Sequence, residues 1–124
     1  MKIYVVDDER IIRVSLADEL KDEGFEVMEF AHAAPALLKM KEEQPDIVIT
    51  DLKMEGVDGM QFLTAVKEKS PDTEVIVITG FATMETAKES FQKGVFDFVA
   101  KPFKISVIRE VVKKAEKKRK GAKT

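Results

Sequence analysis

Short apolar runs alternate with longer stretches of helical periodicity along most of this chain, and this alternation limits the fold more than any other feature. Five runs are rich in the β-branched and aromatic residues typical of strands: residues 3–6, 25–30, 47–50, 75–79 and 95–100. Between them, apolar residues recur three or four positions apart, which predicts amphipathic helices. The sequence therefore predicts five strand–helix units in one α/β domain.

The third and fourth apolar runs do not alternate with polar residues. Residues 47–49 read Ile-Val-Ile and residues 75–78 read Val-Ile-Val-Ile, so both faces of these strands are expected to be covered, as in a parallel sheet flanked by helices. Gly24 and Gly94 stand where helices would end in a left-handed cap. We predict a doubly wound (βα)5 sandwich of three layers. If its parallel five-stranded sheet has the flavodoxin-like order 2-1-3-4-5, strands 1 and 3 are neighbours at the switch point.

Composition excludes several kinds of site. The 124 residues suit one domain, and the absence of Cys rules out disulfides, thiolate metal sites and a Cys nucleophile. No stretch approaches the roughly 18 apolar residues of a membrane span. Asp7 and Asp8 also come too early for the apolar part of a signal peptide. We expect a cytoplasmic protein that does not contact the membrane.

Charge divides the chain unevenly. Residues 1–108 carry 13 basic and 21 acidic side chains, whereas residues 109–124 carry 8 and 2. From Lys113 onward the apolar stripe is lost, so the last helix is expected to fray there. Residues 1–118 are predicted to form the domain, and residues 119–124 a basic tail or the start of a linker to an effector domain. Basic runs can attract nucleic acid, but the linker is favoured and no nucleic-acid binding by this domain is expected.

Polar residues follow the predicted strand ends. Asp7 and Asp8 follow strand 1, Asp51 follows strand 3, Thr79 ends strand 4 and Lys101 follows strand 5. Parallel sheets bind ligands at these carboxyl ends. Converging carboxylates need a cation, and oxygen ligands favour a hard ion such as Mg²⁺. Lys101 and Thr79 would neutralise and hydrogen-bond phosphate oxygens. An Asp side chain needs no general base to act as a nucleophile, because the reference pKa of this residue type is about 3.9.

Four motifs in this order resemble the receiver domains of response regulators, the proteins of two-component signalling. The motifs are Val5-Val6-Asp7-Asp8-Glu9, Asp51-Leu52-Lys53-Met54 with Asp58-Gly59, Thr79-Gly80, and Lys101-Pro102-Phe103. The resemblance extends from Lys2 to about Lys118. Residues 81–98 most resemble receivers of the nitrogen-regulation type, which control transcription activators.

The resemblance implies a phosphoryl acceptor beside a metal ion. Asp51 would accept a phosphoryl group from a sensor histidine kinase. Mg²⁺ would be bound directly by Asp8, through water by Asp7, by Asp51 and by the backbone carbonyl of Lys53. Apart from Mg²⁺-dependent self-phosphorylation and self-dephosphorylation, no enzymatic activity is implied.

The resemblance also implies a switch. Thr79 and Lys101 would bind the phosphoryl group, and Thr79 and Phe98 would remodel the face of the fourth helix, fifth strand and fifth helix. This face would then control an effector or form a homodimer. The peptide bond between Lys101 and Pro102 is expected to be cis. Glu55 departs from the family, which usually has Pro there, and is expected to affect loop order and phosphoryl lifetime.

Other functions fit the sequence less well. A Mg²⁺-dependent phosphatase with an aspartyl-phosphate intermediate usually has a second Asp two residues after the nucleophile, where this chain has Lys53. A dinucleotide-binding enzyme needs a glycine-rich turn after strand 1, but residues 7–10 read Asp-Asp-Glu-Arg. Taken singly, Asp7 and Asp8 could merely cap a helix and Phe98 could merely fill the core. The placement of Asp7 and Asp8 together with Asp51, Thr79 and Lys101 favours the receiver, and the resemblance favours the switch role of Phe98.

Overall fold

A parallel five-stranded sheet forms the middle layer of the computed structural model, which describes residues 1–54 and 57–122. The strands are β1 (Lys2–Val6), β2 (Glu26–Phe30), β3 (Ile47–Thr50), β6 (Glu74–Thr79) and β7 (Asp97–Ala100), arranged in the order β2-β1-β3-β6-β7. A separate antiparallel pair is formed by β4 (Lys53–Met54) and β5 (Val57–Asp58). With that short pair set aside, the predicted order 2-1-3-4-5 is confirmed.

Five helices form the outer layers. They are α1 (Arg10–Asp22), α2 (Ala33–Glu42), α3 (Gly59–Lys69), α4 (Met84–Gln92) and α5 (Ile105–Ala122). Each connects or follows strands of the parallel sheet, as the predicted doubly wound fold requires. Within the described ranges, none of these helices combines the length and apolar character that a membrane crossing requires.

Each face of the sheet has its own core. Ile47 and Ile49 of β3 join one apolar cluster with residues of α1 and α5, whereas Val48 joins a second cluster with residues of α2 and α3. Successive strand residues point to opposite faces of the sheet. When helices cover both faces, every residue of the strand is buried and an apolar side chain is favoured at each position. This burial explains the unbroken apolar runs in the sequence.

Two glycines end helices as predicted. Gly24 follows α1 with φ of 95°, and Gly94 follows α4 with φ of 93°. Residues other than glycine rarely adopt this left-handed backbone conformation. Helix α4 begins with a capping box, in which the Thr83 hydroxyl accepts from the Thr86 amide and the Thr86 hydroxyl accepts from the Thr83 amide.

The end of α5 differs from the sequence prediction. Fraying was expected from Lys113, but α5 continues to Ala122 and thus passes the predicted domain boundary at residue 118. Ala115 is fully buried, and two basic residues reach acidic partners beside the sheet: Lys118 Nζ lies 2.9 Å from Glu74 Oε2, and Arg119 Nη2 lies 2.8 Å from Asp46 Oδ1. The prediction of fraying was wrong because ion pairs replace the apolar stripe in these last turns.

Candidate functional site

The carboxyl ends of the central strands bring most of the predicted site residues together. In the register of the sheet, Val6 lies opposite Thr50, and Thr79 lies opposite Ala100. The residues that follow these positions therefore meet at one edge. Asp7, Asp51 and Lys101 are in direct contact there, and the backbone amide of Lys101 donates to the Thr79 carbonyl at 2.8 Å.

Lys101 is the cation at the centre of this edge. Its Nζ lies 2.7 Å from Asp51 Oδ2, 3.0 Å from Asp7 Oδ2 and 2.7 Å from Glu9 Oε1, and its side chain is 10% exposed. Burial alone would lower the pKa of Lys101, but its hydrogen bonds to Asp51, Glu9 and Asp7 outweigh that effect and raise the pKa above its usual value. The ammonium group therefore stays charged and links three carboxylates.

Asp7 is fixed through both its side chain and its main chain. Its Oδ1 accepts from the Glu9 amide at 2.9 Å, and its carbonyl accepts from Arg13 Nη1 at 2.9 Å. Burial raises the pKa of Asp7, and the nearby Asp51 charge adds to this, whereas hydrogen bonds from the Glu9 amide and Lys101 lower it. The net shift is upward, so the folded protein holds this carboxylate at an electrostatic cost.

Asp51 is held in a buried position between two donors. Its Oδ1 accepts from the Lys53 amide at 3.0 Å and its Oδ2 accepts from Lys101. The loop after Asp51 returns close to its own start, because the Gly59 amide donates to the Leu52 carbonyl at 2.9 Å. A Cβ on Gly59 would collide with the backbone of Leu52, which explains why glycine occupies this place in the Asp58-Gly59 motif.

An open cavity of about 420 Å³ gives access to Asp51. Asp8 and Lys53, both predicted to bind metal, line it together with Phe81, and the Lys53 ammonium lies 4.3 Å from the centroid of the Phe81 ring. This distance is within the range of a cation–π contact. Glu55, the predicted departure from the family, lies outside the described residues.

The carboxylates at this edge form a donor set suited to a hard cation. Among the described residues, oxygen atoms of Asp7, Glu9 and Asp51 all lie within 4.8 Å of one another. Asp8 is exposed and lines the same cavity but is not part of this cluster. Hard oxygen ligands of this kind fit Mg²⁺, which uses a few carboxylates and keeps some of its waters.

The two predicted switch residues occupy neighbouring strands. Thr79 is fully buried, and its hydroxyl accepts from the Phe81 amide at 3.0 Å. Phe98 is half-buried on β7 and packs against the apolar cluster on the α2 and α3 face. The Lys101–Pro102 bond is cis, as predicted.

Two contacts at the site were not predicted from the sequence. Glu9 hydrogen-bonds Lys101, and Arg13 connects the Asp7 carbonyl with Glu29, whose Oε1 lies 3.4 Å from Arg13 Nε. Glu9 could have been noticed as a third acidic residue directly after Asp7 and Asp8. Arg13 stands four residues after Glu9, one helical turn away, but its partner on β2 is visible only in the fold.

Comparison with known proteins identifies the class of this domain. The family model of the response regulator receiver domain matches residues 3–113, so the chain belongs to that family. The DNA-binding transcriptional regulator NtrC of Proteus hauseri is 34% identical over 113 residues, which cover 91% of this chain and 24% of that protein. The resemblance predicted from the four motifs is confirmed.

Two further relatives have nearly the length of this chain. Sporulation initiation phosphotransferase F of Bacillus subtilis is 35% identical over 113 residues, which cover 91% of this chain and 91% of that protein. The solved structure of a CheY-like response regulator receiver domain protein from Methanospirillum hungatei JF-1 has a TM-score of 0.93 at 26% identity, covering 98% of this chain and 97% of that one. The chain thus spans about a quarter of NtrC but nearly all of the phosphotransferase.

Proposed function

We propose that this receiver domain is a phosphorylation-activated switch and that Asp51 is its phosphoacceptor. The observation that carries the proposal is the position of Asp51, a buried carboxylate at the base of an open cavity, 2.7 Å from the Lys101 ammonium. The donor would be a sensor histidine kinase. An Asp51 oxygen would form a bond to phosphorus while the bond from phosphorus to the donor histidine nitrogen breaks, its electron pair remaining on the imidazole.

The charges at the site support Mg²⁺ as cofactor. Three carboxylates face the single ammonium of Lys101, so two negative charges remain when all are ionised. Asp7, Asp8, Asp51 and the backbone carbonyl of Lys53 would hold the ion. When bound, Mg²⁺ would neutralise phosphoryl oxygens during transfer. Lys101 would hold a phosphoryl oxygen by a charge-assisted hydrogen bond.

The response would begin at Thr79. Its hydroxyl now accepts from the Phe81 amide, and donating to a phosphoryl oxygen instead would turn it away from that amide and loosen the loop before α4. Phe98 would then move into the vacated space. A local charge change would in this way bias a two-state element.

The output face would be α4, β7 and α5. Large apolar side chains are exposed there: Met84 is 92%, Phe91 51% and Val107 41% exposed. Apolar surface of this kind is typical of a contact site, so we propose that this face binds an effector domain or a second copy of the chain. The similarity to NtrC favours an effector that regulates transcription, located in the cytoplasm and joined after residues 119–124.

A second role is favoured by a specific comparison. Sporulation initiation phosphotransferase F, by its name a phosphotransferase, is covered over 91% of its length. By this similarity, the chain would pass its phosphoryl group on to another protein instead of driving an attached effector. Both roles need phosphorylation of Asp51. They differ in whether the phosphoryl group stays on Asp51 or passes to another protein.

The decisive experiment is intact-mass spectrometry after incubation with acetyl phosphate and Mg²⁺. We expect one phosphoryl group on the wild-type chain and none on Asp51→Asn. The control is Asp18→Asn, because Asp18 is an exposed acidic residue of α1 and its replacement changes the charge equally. Addition of EDTA should abolish the mass gain. Phosphorylation of Asp51→Asn at the wild-type rate would refute the proposal.

A further inference from the structure

Arg13 reaches from the first turn of α1 to the main chain of the site. Its Nη1 donates to the Asp7 carbonyl at 2.9 Å, and its Nε lies 3.4 Å from Glu29 Oε1 on β2. The guanidinium group is planar, and its five N–H donors have fixed directions. One side chain therefore contacts two acceptors at once, one on the loop after β1 and one on the neighbouring strand.

The Asp7 carbonyl belongs to the peptide bond between Asp7 and Asp8. Asp7 is 0% exposed, so water does not reach this carbonyl, and a buried carbonyl that loses its donor costs free energy. The Asp7 amide donates to the Phe30 carbonyl at 3.1 Å. The backbone is thus fixed on both sides of Asp7, by the sheet before it and by Arg13 after it.

This peptide joins the two acidic residues that are proposed to hold Mg²⁺ from the β1 side. The Asp7 side chain has its own support, because Oδ1 accepts from the Glu9 amide and Oδ2 accepts from Lys101. Asp8 is exposed and lines the open cavity. The orientation of the peptide plane depends on ψ of Asp7 and φ of Asp8, so a plane held by Arg13 also restricts where the Asp8 side chain points.

We propose that Arg13 is a positioning residue for the metal site: it holds the Asp7–Asp8 peptide and so sets the direction from which Asp8 meets a divalent cation. Glu29 keeps Arg13 in place. This inference rests on the proposed Mg²⁺ site. Arg13 is itself a cation, and a nearby positive charge repels Mg²⁺. A role through charge alone would therefore have the opposite sign to a role through position.

The test uses substitutions that separate position from charge. Arg13→Met removes the charge and the donors but keeps a long apolar stem, whereas Arg13→Lys keeps the charge on an ammonium that lacks the planar fork. Glu29→Gln leaves Arg13 intact and removes its anchor. Arg10→Met is the matched control, because Arg10 is an exposed basic residue at the start of the same helix. The Kd values of Mg²⁺ and Ca²⁺ are measured from amide NMR shifts.

The two ions respond differently to a misplaced ligand. Mg²⁺ requires near-ideal octahedral geometry, whereas Ca²⁺ accepts flexible coordination. Both Arg13 variants should raise the Kd of Mg²⁺ roughly tenfold, the lower end of the effect of losing a contact that orients a metal-binding group, and that of Ca²⁺ by a much smaller factor. In Arg10→Met both Kd values should fall slightly and by the same factor.

Glu29 provides a second, independent arm of the test. Glu29→Gln should raise the ratio of the Mg²⁺ Kd to the Ca²⁺ Kd in the same direction, by less than the Arg13 variants do. Because Glu29 acts through Arg13, the double variant should bind Mg²⁺ no more weakly than Arg13→Met alone. If Arg13→Met does not fold, Arg13→Lys and Glu29→Gln give the same comparison of the two ions.

The outcomes separate this inference from the function on which it rests. If Arg13→Met binds both ions more tightly, as Arg10→Met should, Arg13 acts by charge alone and the positioning role is refuted. Equal weakening of both ions would show a general loss of structure and refute it as well. If wild type binds Mg²⁺ and is phosphorylated on Asp51 while the Arg13 variants keep wild-type Kd values, only the role of Arg13 fails. If wild type binds no Mg²⁺, the proposed metal site and this inference fail together.

Discussion

The two ends of the central sheet contain the same kinds of charged side chains in different proportions. At the amino ends of the strands, Glu74 pairs with Lys118, and Asp46 pairs with Arg119 and accepts from the Lys2 amide at 2.8 Å. Glu74 and Asp46 thus each have their own cation, while Lys2 pairs with both Glu26 and Glu43. At the carboxyl ends, one ammonium serves three carboxylates.

This difference separates a structural arrangement from a functional one. The pairs of Glu74 with Lys118 and of Asp46 with Arg119 are balanced within the chain, and they hold α5 against the sheet. At the carboxyl ends, negative charge is left in excess around Lys101. This excess costs stability but attracts a cation, and Lys101 can exchange one anionic oxygen for another. Natural proteins commonly break the rules of stable packing where they function, and here the excess charge marks the site.

The strongest test of the comparison removes one Lys from each end. Lys101→Met leaves three carboxylates without their cation, one of them fully buried, and should lower the free energy of unfolding by about 3–5 kcal/mol. Lys118→Met removes an ammonium whose side chain is 61% exposed, and should cost no more than about 1 kcal/mol. Urea denaturation in EDTA measures both.

Magnesium provides the control for this pair. Because the excess charge is confined to the carboxyl ends, adding Mg²⁺ should restore part of the stability lost in Lys101→Met, and should change Lys118→Met no more than wild type. Equal losses in the two variants, with equal responses to Mg²⁺, would show that the two ends do not differ in the way described.

The next test concerns the sign of a change at an acidic residue. Burial and the neighbouring Asp51 raise the pKa of Asp7, so the charged form is disfavoured in the folded state. Asp7→Asn should therefore stabilise the protein at neutral pH in EDTA, by about 0.5–2 kcal/mol. Asp46→Asn should instead destabilise it by about 1 kcal/mol, because its ion pair with Arg119 is lost. Thermal unfolding of both variants gives the signs, and two losses of similar size would contradict the comparison.

The sequence predicted the fold well because strand and helix patterns depend on local residues. All five predicted strands are present, with ends shifted by at most two residues, and the short, right-handed connections of a doubly wound sheet leave few possible strand orders. Residues of the site could be predicted for the same reason. Asp7, Asp51 and Lys101 each follow a strand, and parallel strands bring their carboxyl ends to one edge.

The contacts that could not be predicted involve long side chains that leave their own element. Glu9 stands at the start of a helix, where a capping role is the usual expectation, and Arg119 lies in a basic run that resembles a solvated tail. Their partners, Lys101 and Asp46, are distant in sequence and become neighbours only when the sheet forms. Hydrophobic periodicity predicts only apolar helix faces, so it does not indicate the ion pairs of Lys118 and Arg119 that extend α5.

The smallest test concerns a titratable group near the balanced end. The Tyr4 hydroxyl donates to the Glu43 carbonyl at 2.6 Å, and burial, with a smaller effect of the Glu42 charge, raises the pKa of Tyr4 above its usual value of 10.0. The folded state thus favours the neutral phenol. This stabilisation should be fully present below pH 10 and lost as the pH rises through the raised pKa.

At neutral pH, Tyr4→Phe should cost about 0.5–1.5 kcal/mol for the lost hydrogen bond. In urea denaturation between pH 8 and pH 11, the difference between wild type and Tyr4→Phe should shrink as the pH rises. A constant difference across that range would show that the ionisation of Tyr4 is not coupled to folding.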